Sequence, residues 1–108
     1  DDTPGIRKMK EITLKYQPDA GGPNRHYSWA WVAGMIGAEG MKRAGRNLNG
    51  ETFVSALESI KDFDTGGISG PVGFSSKSHK GAEFAIFVKA DLEKQRFVPI
   101  TGWRKLSE

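Results

Sequence analysis

Apolar positions repeat with helical spacing in three separate segments before residue 62. The first predicted helix starts with Thr3 as its cap and Pro4 at the first helical position, where the missing proline N–H is not needed. It ends at Gln17, because the following Pro18 disfavours helix at that residue. The stripe that should face the core consists of Ile6, Met9, Thr13 and Tyr16. A flexible loop, DAGGPNRH, follows.

The second predicted helix runs from about Tyr27 to Ala44. Two cations, Lys42 and Arg43, lie in its last turn, and Gly45 stands just beyond them, which is a typical helix C-terminus. Each interior glycine costs about 1 kcal/mol relative to alanine. The helix nevertheless carries three glycines at a spacing of three, Gly34, Gly37 and Gly40. We therefore expect another backbone to pack closely against this helix.

The third predicted helix begins at the cap residue Asn49, with Glu51 in its first turn. Its apolar residues follow the i, i+3, i+4, i+7 pattern of an amphipathic helix, at Phe53, Val54, Leu57 and Ile60.

The segment 62–81, DFDTGGISGPVGFSSKSHKG, changes the pattern from helical to extended. Gly66 and Gly67 permit the positive φ angles of a sharp reversal. Residues 68–74 then have the alternation of a strand, with apolar residues at 68, 72 and 74 on one face. Because Gly70-Pro71 interrupts a full backbone ladder, the pattern favours an edge strand or a crossing segment.

Two further extended runs, 83–90 and 96–100, predict an antiparallel hairpin with a polar connection at 91–95. In the first run, Phe84, Ile86 and Val88 share one face and Ala85 and Phe87 share the other. This first strand should therefore be covered on both faces. Pro99 places the second strand nearer an edge.

Composition narrows the class of protein. The 108 residues allow one modest domain, and the absence of cysteine excludes disulfides, thiolate zinc sites and cysteine nucleophiles. The net charge is +3, but 16 basic and 13 acidic residues are interspersed along the chain. The densest basic run, RKMK at 7–10, lacks interleaved aromatic residues, so we expect no nucleic-acid partner.

Residue types that carry catalysis or bind metals are sparse. The two histidines, His26 and His79, lie in polar loops far apart in sequence. Asp62 and Asp64 lack the glycine position and the last carboxylate of a calcium loop. No serine stands in a nucleophile elbow, and the glycines at 66, 67 and 70 form no phosphate loop. We therefore predict no catalytic residue, metal or cofactor, and a protein that is not an enzyme.

The strongest candidate site is the aromatic run His26 to Trp31 at the start of the second helix. Aromatic walls, a hydroxyl and unpaired backbone N–H groups at a helix start suit a small carboxylate ligand. Tyr27 and Trp31 are four residues apart and share a face, whereas Trp29 points roughly the opposite way. From the sequence, these aromatic residues fit a binding site and a core or interface role equally well.

Two long stretches carry a family resemblance. MKRAGRNLNGETFVSALESIKDFDTGGISGPVGFSSKSHKG and EFAIFVKADLEKQRFVPITGW resemble, in order and spacing, the C-terminal part of the type I periplasmic solute-binding proteins, the leucine/isoleucine/valine-binding family of ABC importers. The resemblance implies an α/β fold in which three helices precede a crossing strand and an antiparallel hairpin. It also implies a C-terminal piece of a longer chain whose first lobe begins upstream of Asp1.

The resemblance also implies an organisation and a site. Residues 1–65 would contribute to one lobe, residues 66–81 would be the hinge crossing, and residues 82–108 would contribute to the other lobe. The implied hinge residues are Gly66, Gly67, Gly70 and Pro71. The implied ligand contacts are Tyr27 first, and then His26 and Trp29, while the main ligand anchors would lie upstream.

These implications lead to a functional hypothesis and two alternatives. The chain would belong to an extracytoplasmic solute-binding protein that closes on a branched-chain or other hydrophobic amino acid, or a related small amide or acid, and meets a membrane permease. The alternatives are the ligand-sensing part of a receptor or regulator, and a small interaction module whose resemblance is accidental. A chain split in this way leaves apolar faces uncovered, so we expect it to self-associate in isolation.

Overall fold

A computed structural model of the chain describes residues 2–106 and shows a mixed α/β arrangement of three helices and two small antiparallel sheets. Asp1, Ser107 and Glu108, at the ends of the two predicted lobe segments, lie outside the described residues. The helices are α1 (Pro4–Tyr16), α2 (Arg25–Ala44) and α3 (Gly50–Glu58), with a short 3-10 turn at Gly45–Asn47. The strands are β1 (Phe84–Ala85), β2 (Val88–Asp91), β3 (Arg96–Pro99) and β4 (Arg104–Lys105).

The predicted caps of α1 and α3 are confirmed. The Thr3 hydroxyl accepts the Ile6 N–H at 3.4 Å. At α3, the Asn49 side chain accepts the Thr52 N–H at 3.0 Å, and the Thr52 hydroxyl accepts the Asn49 N–H at the same distance. Such reciprocal bonds satisfy two backbone donors that would otherwise lack partners at the helix start.

The predicted start of α2 was wrong by two residues. Asn24 caps this helix, and its side-chain oxygen accepts the Tyr27 N–H at 3.0 Å, so the helix begins at Arg25. The predicted end is confirmed, because Gly45 adopts a φ of +69° and its N–H donates to the Met41 carbonyl. A positive φ of this kind favours glycine at the residue that ends a helix.

The glycines of α2 have different surroundings. A Cβ on Gly40 would lie 2.7 Å from Leu57 and 2.8 Å from Phe53, so Gly40 makes room for α3. The expected backbone neighbour was therefore wrong at this position, because side chains fill the space. Around Gly34 and Gly37, no atom of the described residues from outside the local helix backbone and the adjoining residues lies within 4 Å of the Cβ position.

Residues 63–72 form a closed loop, which we call the junction loop. Phe63 and Val72 exchange two backbone hydrogen bonds, of 2.7 and 3.1 Å, and close its base. Inside it, Thr65 Oγ1 accepts the Ser69 N–H at 2.9 Å and donates to the Ser69 carbonyl at 2.8 Å. The predicted strand 68–74 was wrong, because these local side-chain bonds take the place of a ladder. Only isolated bridges remain in this part of the described chain, from Val72 to Phe63 and to Ala82, and from Ser75 to Ser78.

The start of α1 packs directly against the junction loop. Gly66 and Gly67 have φ angles of +69° and +83°, as the predicted reversal requires. The Gly5 N–H donates to the Gly66 carbonyl at 2.8 Å, and a Cβ on Gly5 would lie 2.5 Å from the Thr65 carbonyl oxygen. We call this contact of Gly5 with Thr65 and Gly66 the glycine contact, and Gly67 packs beside it against the Thr3 side chain. It fixes α1 to the junction loop through the two backbones.

The buried core is small. Its apolar members are Met9, Ala56, Ile60 and Val72, and the buried polar residues are Thr13 and Thr65. The Ile60 carbonyl accepts the Phe74 N–H at 2.9 Å, which joins the end of α3 to the segment after the junction loop. Met9 and Thr13 confirm the centre of the α1 stripe, whereas Tyr16 is 71% exposed and does not belong to the core.

The predicted hairpin is confirmed, with Val88 opposite Pro99 and Asp91 opposite Arg96. The predicted continuous strand 83–90 was wrong, because the chain breaks at residues 86–87 and β1 pairs with β4 instead. At the break, the Phe87 N–H donates to Thr101 Oγ1 at 3.1 Å rather than to a ladder partner. Phe87 and Val88 are exposed, so the expected burial of both strand faces was also wrong.

The molecule is flat, with extents of 53 × 39 × 18 Å and a radius of gyration of 16.1 Å. A compact domain of this length would have a radius of gyration of about 13 Å. The accessible surface of this chain is 8202 Å², whereas a compact monomer of the same mass would expose about 5,900 Å². The exposed large apolar side chains extend over all parts of the fold, and among them are Leu14, Trp29, Met41, Phe97 and Ile100.

Candidate functional site

A cavity lies between the first half of α2 and the segment that contains the junction loop. Its volume is about 540 Å³, and we call it the α2 cleft. From α2 it is lined by Arg25, Ser28, Trp29, Val32, Ala33 and Ile36. The opposite side includes Ile68, Val72, Phe74 and Trp103. Volumes of this size are typical of small-molecule sites.

Trp29 is the most exposed aromatic wall of the α2 cleft, with 62% of its surface accessible. The His26 ring meets it edge to face, with ring centroids 5.5 Å apart. The Arg25 guanidinium lies over the same indole, 5.3 Å from its centroid. One cation and one imidazole thus flank an exposed indole at the mouth of an apolar cavity.

Tyr27 lies on the other side of α2. Its ring stacks on Trp31, with centroids 6.4 Å apart and an interplanar angle of 22°. These two rings line a second cavity of about 530 Å³ together with Ala30, Gly34 and Met35. The structure therefore brings His26 and Trp29 together and separates both from Tyr27, which agrees with the predicted division of the aromatic run between two faces.

The backbone at the start of α2 is less available than the sequence indicates. The Tyr27 N–H, one of the donors expected to receive a carboxylate, already donates to Asn24. The Ser28 hydroxyl donates to the Asn24 carbonyl at 3.1 Å. A ligand at this helix start therefore cannot use the Tyr27 N–H unless it displaces the Asn24 side chain.

Of the residues that line the cleft, sequence reasoning identified Trp29 and missed the others, among them Arg25 and Trp103. Arg25 directly precedes the aromatic run and was placed in the loop, since the Asn24 cap was not recognised. Trp103 reaches the cleft because Gly70 leaves room for it, and a Cβ on Gly70 would lie 3.1 Å from the Trp103 ring and 2.6 Å from Phe84. No local sequence pattern indicates that contact.

Comparison with known protein families supplies the deciding observation. The family model described as periplasmic binding protein matches residues 1–96, which is most of the chain. The chain belongs to the periplasmic binding protein family. No curated protein and no solved structure gives a significant match.

Membership of the periplasmic binding protein family implies a solute-binding role, a small-molecule ligand and a location outside the cytoplasm. The family is one of non-enzymatic binding proteins. The match contains all three helices, the junction loop and β2. It ends at residue 96, so Trp103 and β4 lie beyond it.

Other polar groups of this family member are engaged with each other. His79 Nε2 lies 2.8 Å from Glu58 Oε1, at the last residue of α3. Lys105 pairs with Glu83 at 3.1 Å in a polar cavity of about 360 Å³. Within residues 2–106, no three acidic or histidine side chains are grouped as metal ligands would be. In the same residues, no helix combines the length and apolar character needed to span a membrane.

Proposed function

We propose that this chain forms part of the solute-binding protein of an ABC importer and that it contributes one wall of the ligand site. The proposed ligand is a branched-chain or other hydrophobic amino acid, or a related small acid or amide. The α2 cleft is the observation that carries this proposal, because it combines a suitable volume with apolar walls and few polar groups. The proposed contact in the cleft is Trp29, with His26 against its ring. Tyr27, the first contact that the resemblance implies, lines the second cavity on the side of α2 away from the cleft, which we call the outer face, so it is not among the proposed cleft contacts.

The proposed mechanism is closure of two lobes on the ligand, followed by presentation of the closed form to a membrane permease. Residues 1–65 would belong to one lobe and residues 82–108 to the other. Residues 66–81 would connect them, with Gly66, Gly67, Gly70 and Pro71 as the hinge. The segregation of helices before residue 62 and strands after residue 83 supports this division. Because the glycine contact fixes Gly66 to α1 and Gly67 packs against the Thr3 side chain, we expect these two residues to form the helical end of the hinge and to move with the helical lobe.

The second candidate function is ligand sensing by a receptor or regulator of the same fold. A sensor would use the same cleft, and the two functions differ in the partner that recognises the closed form. A signal peptide directly before the first lobe would support transport, whereas a membrane span or an output domain would support sensing. The family match over residues 1–96 favours both of these functions over a small interaction module with an accidental resemblance.

Thermal unfolding of the full-length protein in the presence of ligands tests the proposed binding function. A ligand at 100 times its Kd stabilises the folded state by about 2.7 kcal/mol, which raises Tm by several degrees. We expect at least one hydrophobic amino acid or small carboxylate to produce such an increase, and a charged amino acid such as lysine to produce none. A panel in which no amino acid or small carboxylate raises Tm would contradict the proposal.

The isolated 108-residue chain is expected to self-associate. It exposes roughly 2,300 Å² more surface than a compact monomer, while one side of a standard protein interface buries about 800 Å². Sedimentation velocity should therefore show an average mass that increases with protein concentration. A chain that stays monomeric over the whole concentration range and unfolds cooperatively would show that its apolar faces need no cover.

A further inference from the structure

The hairpin of β2 and β3 has one open backbone edge. Within residues 2–106, β2 pairs with β3 alone, and the Ile100 N–H donates to the Phe87 carbonyl at 2.9 Å just outside their ladder. Because bonded and non-bonded pairs alternate in an antiparallel ladder, this bond makes the next pair, Val88 with Pro99, a non-bonded one. The backbone N–H and C=O groups of Val88 and Ala90 therefore point away from β3.

The two edges of the hairpin differ in what they offer to a further strand. Pro99 has its nitrogen on the outer edge of β3, where proline removes the donor that a new strand would need. The outer edge of β2 contains no proline, and Val88, Lys89 and Ala90 are all exposed. A strand that joins this hairpin should therefore add to β2.

The side chains of β2 restrict which strand fits. Successive side chains alternate between the two faces, so Val88 and Ala90 share an apolar face with Phe97 of β3. Lys89 and Asp91 lie on the opposite face, and Lys89 takes part in none of the ion pairs found among residues 2–106. A complementary strand must therefore present an acid opposite Lys89 and a base opposite Asp91, two residues apart on one face.

A second copy of β2 meets this requirement in one register. An antiparallel pair centred on Ala90 places Lys89 of each copy opposite Asp91 of the other. Centring the pair on Lys89 or on Asp91 would set like charges opposite each other, which is destabilising. The outward N–H and C=O groups of the two Ala90 residues can also bond to each other in this register. Asp91 keeps its pair with Lys94, at 3.5 Å, because a carboxylate has acceptor sites for both cations.

We infer that two copies of this chain associate through antiparallel pairing of their β2 strands, in the register centred on Ala90. The twofold axis then passes between the two Ala90 residues, and the apolar faces of both hairpins lie on the same side of a four-stranded sheet. This gives the self-association expected of the isolated chain a defined interface, and it does not depend on which ligand the α2 cleft binds. Because the paired strands are short, the contact should bury less than the roughly 800 Å² per partner of a standard interface, and the dimer should be weak.

Single-cysteine variants test the register, because the chain has no cysteine of its own. In the inferred dimer the two Ala90 Cα atoms lie about 5.5 Å apart, within the range that a disulfide bridges. Ala90→Cys should therefore form a disulfide-linked dimer in a glutathione redox buffer, measured by non-reducing electrophoresis. Val88→Cys is the matched control on the same edge and the same face. It would lie opposite Leu92 of the second copy, roughly 14 Å from its counterpart, and should cross-link at least tenfold less.

Charge reversal at Lys89 tests the same pairing without a covalent bond. Lys89→Glu sets two acids opposite each other at both symmetry-related positions, so it should weaken the dimer at least tenfold in sedimentation equilibrium. Lys77→Glu makes the same change in net charge at an exposed position outside the hairpin, and it should leave the association constant unchanged.

Equal cross-linking of Ala90→Cys and Val88→Cys, or a Lys89→Glu variant that associates as the parent does, would overturn the inference. If the parent chain self-associates in that case, its apolar faces still need cover and the β2 interface is wrong. A parent chain that stays monomeric would overturn both. Thermal unfolding with ligands tests the proposed solute binding separately, so failure of the β2 interface leaves that function standing.

Discussion

Gly5→Ala is expected to lower the free energy of unfolding by about 3 kcal/mol. The added Cβ would lie 2.5 Å from the Thr65 carbonyl oxygen and 2.9 Å from that of Gly66, and both atoms belong to the backbone. A clash with backbone is relieved only if α1 moves away, which breaks the 2.8 Å hydrogen bond from the Gly5 N–H to Gly66. Chemical denaturation followed by circular dichroism measures the loss.

Gly50→Ala is the matched control for Gly5→Ala. Gly50 is the first residue of α3, as Gly5 lies at the start of α1, but within residues 2–106 no atom apart from the local helix backbone and the adjoining residues lies within 4 Å of its Cβ position. Since alanine favours helix, Gly50→Ala should change stability by less than about 1 kcal/mol, in the stabilising direction. Equal effects of the two substitutions would show that the glycine contact contributes nothing to the packing of α1 on the junction loop.

Ile60→Ala is expected to destabilise the protein by about 3 kcal/mol, within the range for large-to-small changes at buried sites. The Ile60 side chain is 0% exposed, and its carbonyl accepts the Phe74 N–H. Truncation leaves a cavity where the end of α3 meets the segment after the junction loop. Because the core contains few buried apolar residues, few neighbouring side chains can shift to fill this cavity. The urea midpoint measures the change.

Leu92→Ala provides the comparison for Ile60→Ala. Leu92 lies in the turn of the β2–β3 hairpin and is 86% exposed, so its truncation should cost less than about 0.5 kcal/mol. A small loss on Ile60→Ala, similar to that on Leu92→Ala, would contradict the assignment of Ile60 to the core.

The helices of this chain are predictable because their signals are local. Thr3 and Asn49 bond to N–H groups three residues ahead, so their position in the sequence is sufficient to identify the caps. Gly45 ends α2 for an equally local reason, its positive φ. The predicted start of α2 was wrong by two residues because the apolar pattern begins only at Tyr27, whereas the capping residue is Asn24, three residues earlier.

The junction loop and the cleft depend on contacts between distant residues, which the sequence alone does not reveal. Apolar alternation at 68–74 is compatible with a strand, but the bonds of Thr65 with Ser69 close a loop instead. Trp103 can pack over Gly70 and reach the cleft because this residue has no side chain. The sequence identified Trp29 as a candidate by its residue type, whereas the other residues of the cleft are brought next to it only by the fold.

The effect of two substitutions on leucine affinity tests most directly whether the α2 cleft is the ligand site. In the full-length protein, Trp29→Ala should weaken L-leucine binding at least tenfold, about 1.4 kcal/mol, because it removes an aromatic wall of the cleft. Tyr27→Ala, on the outer face of α2, should change it by less than about twofold, which is 0.4 kcal/mol or less. Unchanged affinity on Trp29→Ala, together with a tenfold loss on Tyr27→Ala, would contradict the account and place the ligand on the outer face.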